Sequence, residues 1–201
     1  MNRSVPVIAP SMGDNVTNVR PEIQYLMGCR TFEQFCSTLR ALAMPGQFCP
    51  FCATELERRS RVPIHTMGGW QLFENEFPHK ATARMELIVP RRHVRSPAEL
   101  RPDDWVEIGA LIQMSQIKNG GLMMRFGDPR YHVGTIEHLH FNLIEPTPGV
   151  EYRPPLAKDV SELQKDFQRA LGFYDQLWEM EDDIEWLFSD KGIAETQPKV
   201  A

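Results

Sequence analysis

The sequence predicts an α+β fold in which an antiparallel sheet packs against a helix and carries helical extensions at both ends. Short apolar or alternating segments bounded by Pro and Gly predict the strands. Longer segments with apolar residues at helical spacing predict the helices. The 201 residues are 42% hydrophobic and 24% charged, which is typical of a globular chain that buries a core without disulfides.

The chain begins with a segment that lacks periodicity and continues into a predicted helix. Residues 1–20 are rich in Asn, Ser, Pro and Gly, which indicates a loose arm. Thr31 and Gln34 fit a capping box, and apolar residues follow at helical spacing until a Pro-Gly pair. Cys29 and Cys36 are seven residues apart, so we expect them to share one helix face as small buried residues.

The middle of the chain alternates predicted strands with one helix. Ser96, Pro97 and Glu99 resemble a capped helix start, because Pro is favoured at the first helical position. The apolar face of this helix is predicted to be Trp105, Ile108, Leu111 and Ile112. The predicted strands are 70–77, 84–89, 122–126 and 136–144.

A Pro- and Gly-rich connector leads from the last strand into a long amphipathic helix predicted over residues 160–187, with Gly172 as a weak point. Its apolar face either packs on the domain or forms a dimer contact. These composition shifts divide the chain into residues 1–44, 45–150 and 151–201.

The charge balance and the cysteine usage exclude several classes of protein. A net charge of −5 disfavours a broad nucleic-acid-binding surface. The sequence contains no run of about 18 apolar residues, which a membrane-spanning helix would require. It also contains no apolar leader segment of the kind that predicts secretion. We therefore expect a cytoplasmic protein with no nucleic-acid or membrane partner. In such a reducing compartment, a Cys-x-x-Cys indicates metal or redox chemistry rather than a disulfide.

The most informative predicted strand carries three polar residues in alternation. His138, His140 and Asn142 would project on one face, because alternate residues of a strand share a face. The residues between them are apolar and would face a core. A His-x-His pair arises by chance, but here the full alternation and a preceding Gly-Thr turn accompany it.

This stretch resembles the histidine triad motif, His-x-His-x-His followed by two apolar residues. Residues 73–100 strengthen the resemblance, since they follow the family's order of Asn-x-x-Pro, an apolar strand, Pro-basic-basic-His-Val and a helix. The resemblance covers roughly residues 47–146. The third position is Asn142, which resembles the amide of galactose-1-phosphate uridylyltransferases and diadenosine tetraphosphate phosphorylases. An amide donates a hydrogen bond but carries no titrating proton.

The resemblance implies a fold, a site and an activity. The fold is a histidine triad-like (HIT-like) antiparallel sheet of about five strands with a packed helix, and residues 45–150 form its nucleotide-binding domain. His140 is the implied nucleophile on the α-phosphorus of a nucleotide, with His138 and Asn142 completing the catalytic motif. Substrates would be dinucleoside polyphosphates or nucleoside phosphoramidates. The alternative is a zinc-stabilised nucleotide-binding module with little or no turnover. Family members commonly dimerise, which makes a homodimer possible.

A metal site is also expected. Cys49 and Cys52 form a Cys-x-x-Cys that suits a tetrahedral metal or a redox pair. The preceding helix and Pro-Gly stop argue against a thioredoxin-like βαβ setting. The zinc-bearing branch of the family implies that His93 and His138 complete a structural zinc site.

Four residues are expected to contact the nucleotide in addition to the triad. Asn75 matches a family position that contacts ribose, although it can equally cap a turn before Pro78. Phe73 would wall a base or belong to the core. Gly134 and Thr135 would bind phosphate.

Other histidines and arginines lie outside these motifs. His65 and His79 are expected to be exposed, and His132 to line the pocket or supply a leaving-group proton. The arginine candidates for phosphate contact are Arg91, Arg92 and Arg125.

Overall fold

A computed structural model describes residues 21–42, 49–58, 61–127, 136–154 and 157–179. The chain divides into two compact units. One comprises Met1–Phe48 with Lys158–Ala201, and the other comprises Cys49–Ala157. Among the described residues, no helix combines the length and apolar composition that a bilayer crossing requires.

The second unit is built on a five-stranded antiparallel sheet with the strand order β1-β2-β3-β5-β4. This confirms the predicted α+β class and the expected number of strands. The strands are β1 (His65–Met67), β2 (Trp70–Glu74), β3 (Thr82–Pro90), β4 (Gly121–Met124) and β5 (Phe141–Pro146).

Both faces of the sheet are covered by apolar side chains. In β3, Leu87 lies opposite Asn142 and Ile88 lies opposite Phe141, so the two pairs face opposite sides. The Ile88 face packs on helix α4 (Pro102–Ser115), and the Leu87 face packs on the segment around helix α3 (Ala53–Arg58). The α4 side buries Trp70, Leu72, Ile88, Val94, Ile108, Leu111, Leu139 and Phe141, and the α3 side buries Cys49, Phe51, Leu56, Phe73, Leu87 and Val89.

The strand that carries the polar residues is shorter than predicted. It begins at Phe141 rather than at residue 136, because β3 pairs with β5 only as far as Ile88. Beyond that point, the Pro90 carbonyl accepts a hydrogen bond from the His138 ring instead of a strand N–H. β2 likewise ends at Glu74, and the three-residue β1, too short to show periodicity, was not predicted.

Helix α4 begins later than its predicted start. Ser96 and Glu99 do form the predicted capping box, but they cap a 3₁₀ turn over Pro97–Glu99. The α-helix starts only at Pro102, because a residue before Pro is pushed into extended backbone, as Arg101 is at φ −94° and ψ 162°. Trp105, predicted on the buried face, is half exposed.

The first unit is helical. Its described helices are α1 (Pro21–Met27), α2 (Phe32–Leu42) and α5 (Val160–Trp178). Cys29 precedes α2, so the prediction that it shares a helix face with Cys36 is wrong, although both thiols are buried as expected. The Arg169 guanidinium donates hydrogen bonds to the carbonyls of Met27 and Cys29. The arm over residues 1–20 and the part of the predicted helix beyond Glu179 lie outside the described residues.

Candidate active site and metal centre

His140 is held in one tautomer by the backbone. Its Nδ1 lies 2.9 Å from the His138 carbonyl, and a carbonyl only accepts, so Nδ1 carries the proton and Nε2 carries the lone pair. The Phe51 ring packs against the imidazole, with 4.9 Å between ring centroids. Among the described residues, the hydrogen bond of the His140 ring is the one at Nδ1, and none forms a hydrogen bond with Nε2. The ring therefore keeps one nucleophilic nitrogen free.

The surroundings of His140 also disfavour its protonated form. Burial lowers the pKa of His140 to about 4, while the hydrogen bond to His138 acts in the opposite direction. The positive charge of Arg125 lowers this pKa further. The imidazole is thus neutral at pH 7, the state a nitrogen nucleophile requires.

The four predicted metal ligands converge on one point. The ligand atoms of Cys49, Cys52, His93 and His138 all lie within 4.8 Å of one another. Nδ1 of His138 is 3.3 Å from the Cys49 sulfur, and Nδ1 of His93 is 3.2 Å from the Cys52 sulfur. A tetrahedral zinc with bonds of about 2.0 to 2.3 Å sets neighbouring ligand atoms roughly 3.3 to 3.8 Å apart, so the donor set fits such an ion.

Local structure brings these ligands together from three parts of the unit. Cys49 and Cys52 lie on a turn in which the Cys52 N–H donates to the Cys49 carbonyl. His93 follows β3, and His138 precedes β5. The two cysteines therefore come from a turn, and the two histidines from the ends of paired strands.

The His138 ring is oriented for metal binding by its second nitrogen. Nε2–H donates to the Pro90 carbonyl at 3.0 Å, which leaves the Nδ1 lone pair facing the two sulfurs. A backbone carbonyl on the outer nitrogen is a common way to fix a metal-ligating histidine. Burial lowers the pKa of His138 to about 4, so the ring stays neutral.

The surroundings of the Cys49 thiol favour its neutral form unless a cation is bound beside it. Burial raises the pKa of Cys49 to about 12, because a thiolate is poorly solvated there. A divalent cation reverses this effect by stabilising the thiolate. The chemistry of the donor set therefore matches a soft metal such as zinc.

The third triad position, Asn142, lies on the α3 side of the sheet. It is 4% exposed, and its buried Nδ2 has no hydrogen-bond partner in the described part of the chain. Buried polar groups in proteins are almost always paired, so an orphan donor indicates a missing acceptor.

The structure places the remaining predicted nucleotide contacts as follows. The Asn75 Oδ1 accepts a hydrogen bond from the Phe77 N–H at 2.9 Å, which is the turn-capping role, and Asn75 also lines a cavity of about 300 Å³. Phe73 is buried in the core, with the Arg61 guanidinium 5.7 Å from its ring centroid. Gly134, Thr135 and His132 lie outside the described residues.

Several aromatic side chains near the site have surroundings that the sequence did not reveal. His65 and His79 are both half-buried rather than exposed, and the Nδ1 of His79 lies 2.7 Å from the Tyr152 hydroxyl. Tyr152 was not predicted as a site residue, because it follows β5 in a connector without periodicity. Phe51, whose ring packs against His140, was not predicted as a site residue either. Its position between the two cysteines of the Cys-x-x-Cys was the sequence feature that could have indicated it.

No protein-family model matches the chain, and no curated protein matches it. Solved structures similar to it are histidine triad proteins, the family whose motif the sequence resembles. A zinc-bound histidine triad family protein from Mycobacterium smegmatis is 16% identical, covers 64% of this chain and 96% of its own, and has a TM-score of 0.42.

Two further structures extend the comparison. A histidine triad nucleotide-binding protein from Candida albicans is 17% identical, covers 65% of this chain and 99% of its own, and has a TM-score of 0.38. A diadenosine triphosphate hydrolase from Plasmodium falciparum, in complex with cyclomarin A, is 10% identical, covers 81% of this chain and 98% of its own, and has a TM-score of 0.40.

Proposed function

We propose that this chain is a nucleotidyl hydrolase or transferase that uses His140 as a covalent nucleophile on the α-phosphate of a nucleotide derivative. The observation that carries the proposal is the hydrogen bond from His140 Nδ1–H to the His138 carbonyl, which leaves the Nε2 lone pair without a partner among the described residues. The motif resemblance around His140 supports phosphorus as the electrophile.

The proposed reaction has two displacements. In the first, the Nε2 lone pair forms a bond to the α-phosphorus, and the bond from phosphorus to the leaving-group oxygen breaks with its electrons on that oxygen. In the second, water attacks the phosphorus, the P–N bond breaks, and its electrons return to Nε2. A proton passes to solvent, and a nucleoside monophosphate is released. Dividing one difficult displacement into two is the usual advantage of covalent catalysis.

The backbone contact at Nδ1 supports both steps. As phosphorus bonds to Nε2, the imidazole gains positive charge, and its Nδ1–H donates more strongly to the His138 carbonyl. The same hydrogen bond prevents the ring from turning, so Nε2 keeps its direction between the two displacements.

We propose that the cluster of Cys49, Cys52, His93 and His138 holds a structural zinc. Bound there, zinc would neutralise two thiolates and cross-link the turn to the ends of β3 and β5. His138, a ligand in this proposal, supplies the carbonyl that orients His140. The metal site and the nucleophile would thus be coupled through one residue.

The second candidate is a nucleotide-binding module with little or no turnover. Asn142 favours it, because an amide supplies no proton to a leaving group. In this second function, the chain would bind a nucleotide at the same site, but His140 would form no covalent bond to phosphorus.

An adduct-trapping experiment separates the two. The protein is incubated with a dinucleoside polyphosphate labelled at the α-phosphate, quenched, and divided between acid and alkali. The proposal predicts protein-bound label that is lost in acid and retained in alkali, since a phosphorus–nitrogen bond to imidazole is acid-labile. His140→Gln should carry no label, whereas the control His65→Gln should label like the wild type. Wild-type protein that binds nucleotide but carries no label supports the binding module instead.

A further inference from the structure

A buried carboxylate lies on the face of the sheet opposite to Asn142. In the pairing of β3 with β5, Glu86 lies opposite Leu143, one position away from the pair of Leu87 with Asn142. Alternation therefore places the Glu86 side chain on the α4 side of the sheet. That side chain is only 4% exposed, which is rare for a carboxylate. The sheet thus separates Glu86 from the motif residue Asn142.

One oxygen of the Glu86 carboxylate is paired, and the other is not. Oε1 accepts a hydrogen bond from the Arg84 guanidinium, which also donates to the Ser115 carbonyl at 3.0 Å. Oε2 is buried and has no hydrogen-bond partner in the described part of the chain. Leaving a buried carboxylate oxygen without a donor is unfavourable, and such groups are rare in folded proteins. The orphan oxygen therefore indicates a missing donor.

A second carboxylate lies directly across the strand pair. Glu74 of β2 is the register partner of Glu86, so the two side chains share a face. Residues opposed in an antiparallel pair have Cβ atoms roughly 4.5 to 5.5 Å apart, and like charges there repel each other. The Arg84 guanidinium forms an ion pair with Glu86 and offsets one of the two negative charges. One negative charge is left, which a monovalent cation would balance.

Both carboxylates line the cavity of about 300 Å³ that Asn75 also lines. A space of this size is at the lower end of the range for small-molecule sites. The cavity is also lined by the apolar residues Ile64, Pro78 and Met85. Apolar walls around a few polar groups are typical of a site for an organic ligand.

Three acceptors in this cavity match the donors of an ammonium group. Glu86 Oε2 is the buried acceptor, and the carboxylate of the exposed Glu74 is the second. The Thr82 hydroxyl is the third, because it donates its proton to the His79 carbonyl at 2.7 Å and keeps its lone pairs. An alkylammonium group has three N–H donors and one positive charge.

We propose that this cavity binds a small primary amine as its ammonium ion. The ammonium group donates to Glu86 Oε2 and balances the charge of Glu74, and the alkyl part packs against the apolar walls. A divalent metal ion would fit less well, since it would lie near the Arg84 guanidinium and leave most of the cavity empty. This inference goes beyond the proposed function and does not depend on it.

The test compares n-butylammonium chloride with n-butanol, its uncharged counterpart. In an NMR titration that follows backbone amides, butylammonium should cause saturable shifts at Glu74 and over Thr82–Glu86, and butanol should not. Glu86→Gln keeps the shape of the side chain and removes its charge. It should weaken the affinity for butylammonium by about 10- to 100-fold, the range for a hydrogen bond to a charged group.

Further variants make the test independent of whether Glu86→Gln folds. Glu74→Gln, at an exposed position, should weaken the affinity for butylammonium by about 2- to 5-fold, the range for an exposed ion pair. Glu57→Gln is the matched control and should leave this affinity unchanged, because Glu57 is exposed on α3, on the other side of the sheet. His140→Gln should also bind butylammonium like the wild type, so failure of the covalent mechanism leaves this site intact.

Four results would overturn the amine site. Absence of saturable shifts in the wild type would mean that water satisfies Glu86 Oε2. Equal shifts with butanol would mean that the cavity binds apolar groups without recognising the charge. Stronger shifts with calcium chloride at the same ionic strength would mark a metal site instead. Equal butylammonium affinity in the wild type and Glu74→Gln, and in Glu86→Gln where it folds, would exclude the carboxylates as the binding groups.

Discussion

At the scale of single residues, the site depends on which nitrogen of each histidine is occupied. His138 donates through Nε2 to the Pro90 carbonyl, and His140 donates through Nδ1 to the His138 carbonyl. The two rings thus expose opposite nitrogens: Nδ1 of His138 faces the two sulfurs, and Nε2 of His140 has no hydrogen-bond partner among the described residues. Spacing in the sequence identified both residues, but their tautomers depend on carbonyls that only the folded backbone brings near.

A second residue-scale network holds the sheet to α4 and makes stability depend on pH. The Asp104 carboxylate accepts hydrogen bonds from Trp70 Nε1 at 2.8 Å and from Arg92 at 2.7 Å. Burial acts to raise the pKa of Asp104, but the Arg101 N–H, the indole and the guanidinium together lower it overall. The ionised carboxylate is therefore more favourable in the folded chain than in the unfolded one.

The prediction concerns Asp104→Asn. An unfolded aspartate has a pKa of about 3.9, and the folded value is lower. The stabilisation is therefore complete above about pH 4 and is lost as the pH falls through the folded pKa. Asp104→Asn should lower the free energy of unfolding at pH 7 by about 1 to 3 kcal/mol, the cost of weakening hydrogen bonds to a buried charge.

Urea unfolding of both proteins at pH 7 and at pH 3 checks this prediction. The difference in free energy of unfolding between wild type and variant should narrow at pH 3, because the unfolded chain takes up a proton at Asp104 more readily than the folded chain. An equal difference in the free energy of unfolding at pH 7 and pH 3 would contradict the prediction. It would mean that the packing of the Asp104 side chain, rather than its charge, accounts for its contribution to stability.

At the scale of elements, helix α4 ends on an unfavourable residue. Gln116 is its C-terminal cap and has φ 60° and ψ 14°, the left-handed region that favours glycine. Gln116→Gly should therefore raise the free energy of unfolding by about 0.5 to 1 kcal/mol. Gln113→Gly, at an exposed position inside the helix, should instead lower the free energy of unfolding by about 1 kcal/mol. Thermal denaturation followed by circular dichroism compares the two, and a destabilised Gln116→Gly would contradict the backbone assignment.

Element types could be predicted from the sequence better than element ends. Periodicity identified α2, α4, α5 and four strands, because burial of one face imposes a repeat on the sequence. The ends were set by single contacts that periodicity does not record. Pro102 delays the start of α4, and the Pro90 carbonyl binds a histidine ring where a strand N–H was expected. The Cys-x-x-Cys spacing indicated Cys49 and Cys52 as metal ligands, and the family resemblance implied His93 and His138, whose ligand atoms the fold brings to the same place.

At the scale of the whole molecule, the proposed zinc stabilises one unit selectively. All four ligands belong to the unit Cys49–Ala157, and the other unit has its own apolar core around Phe35 and Phe167. Removing a structural metal removes folding free energy only where its ligands lie.

Chelation followed by hydrogen exchange and mass spectrometry tests this selectivity. Metal analysis should give one zinc per chain before treatment. After chelation, backbone amides of β3 and β5 should lose protection, while those of α2 and α5 keep it. Cys52→Ser should resemble the chelated wild type and respond little to chelator. Equal loss of protection in both units would show that the metal is not confined to this site.

The account as a whole depends on His140 becoming covalently bonded to phosphorus. The most direct measurement is peptide mapping by mass spectrometry of wild-type protein quenched in alkali during turnover of a dinucleoside polyphosphate. The account predicts a nucleoside monophosphate attached to the peptide that contains His140, with fragmentation assigning it to that ring. A nucleotidyl group on His93, on His138 or on no residue during measurable turnover would contradict it.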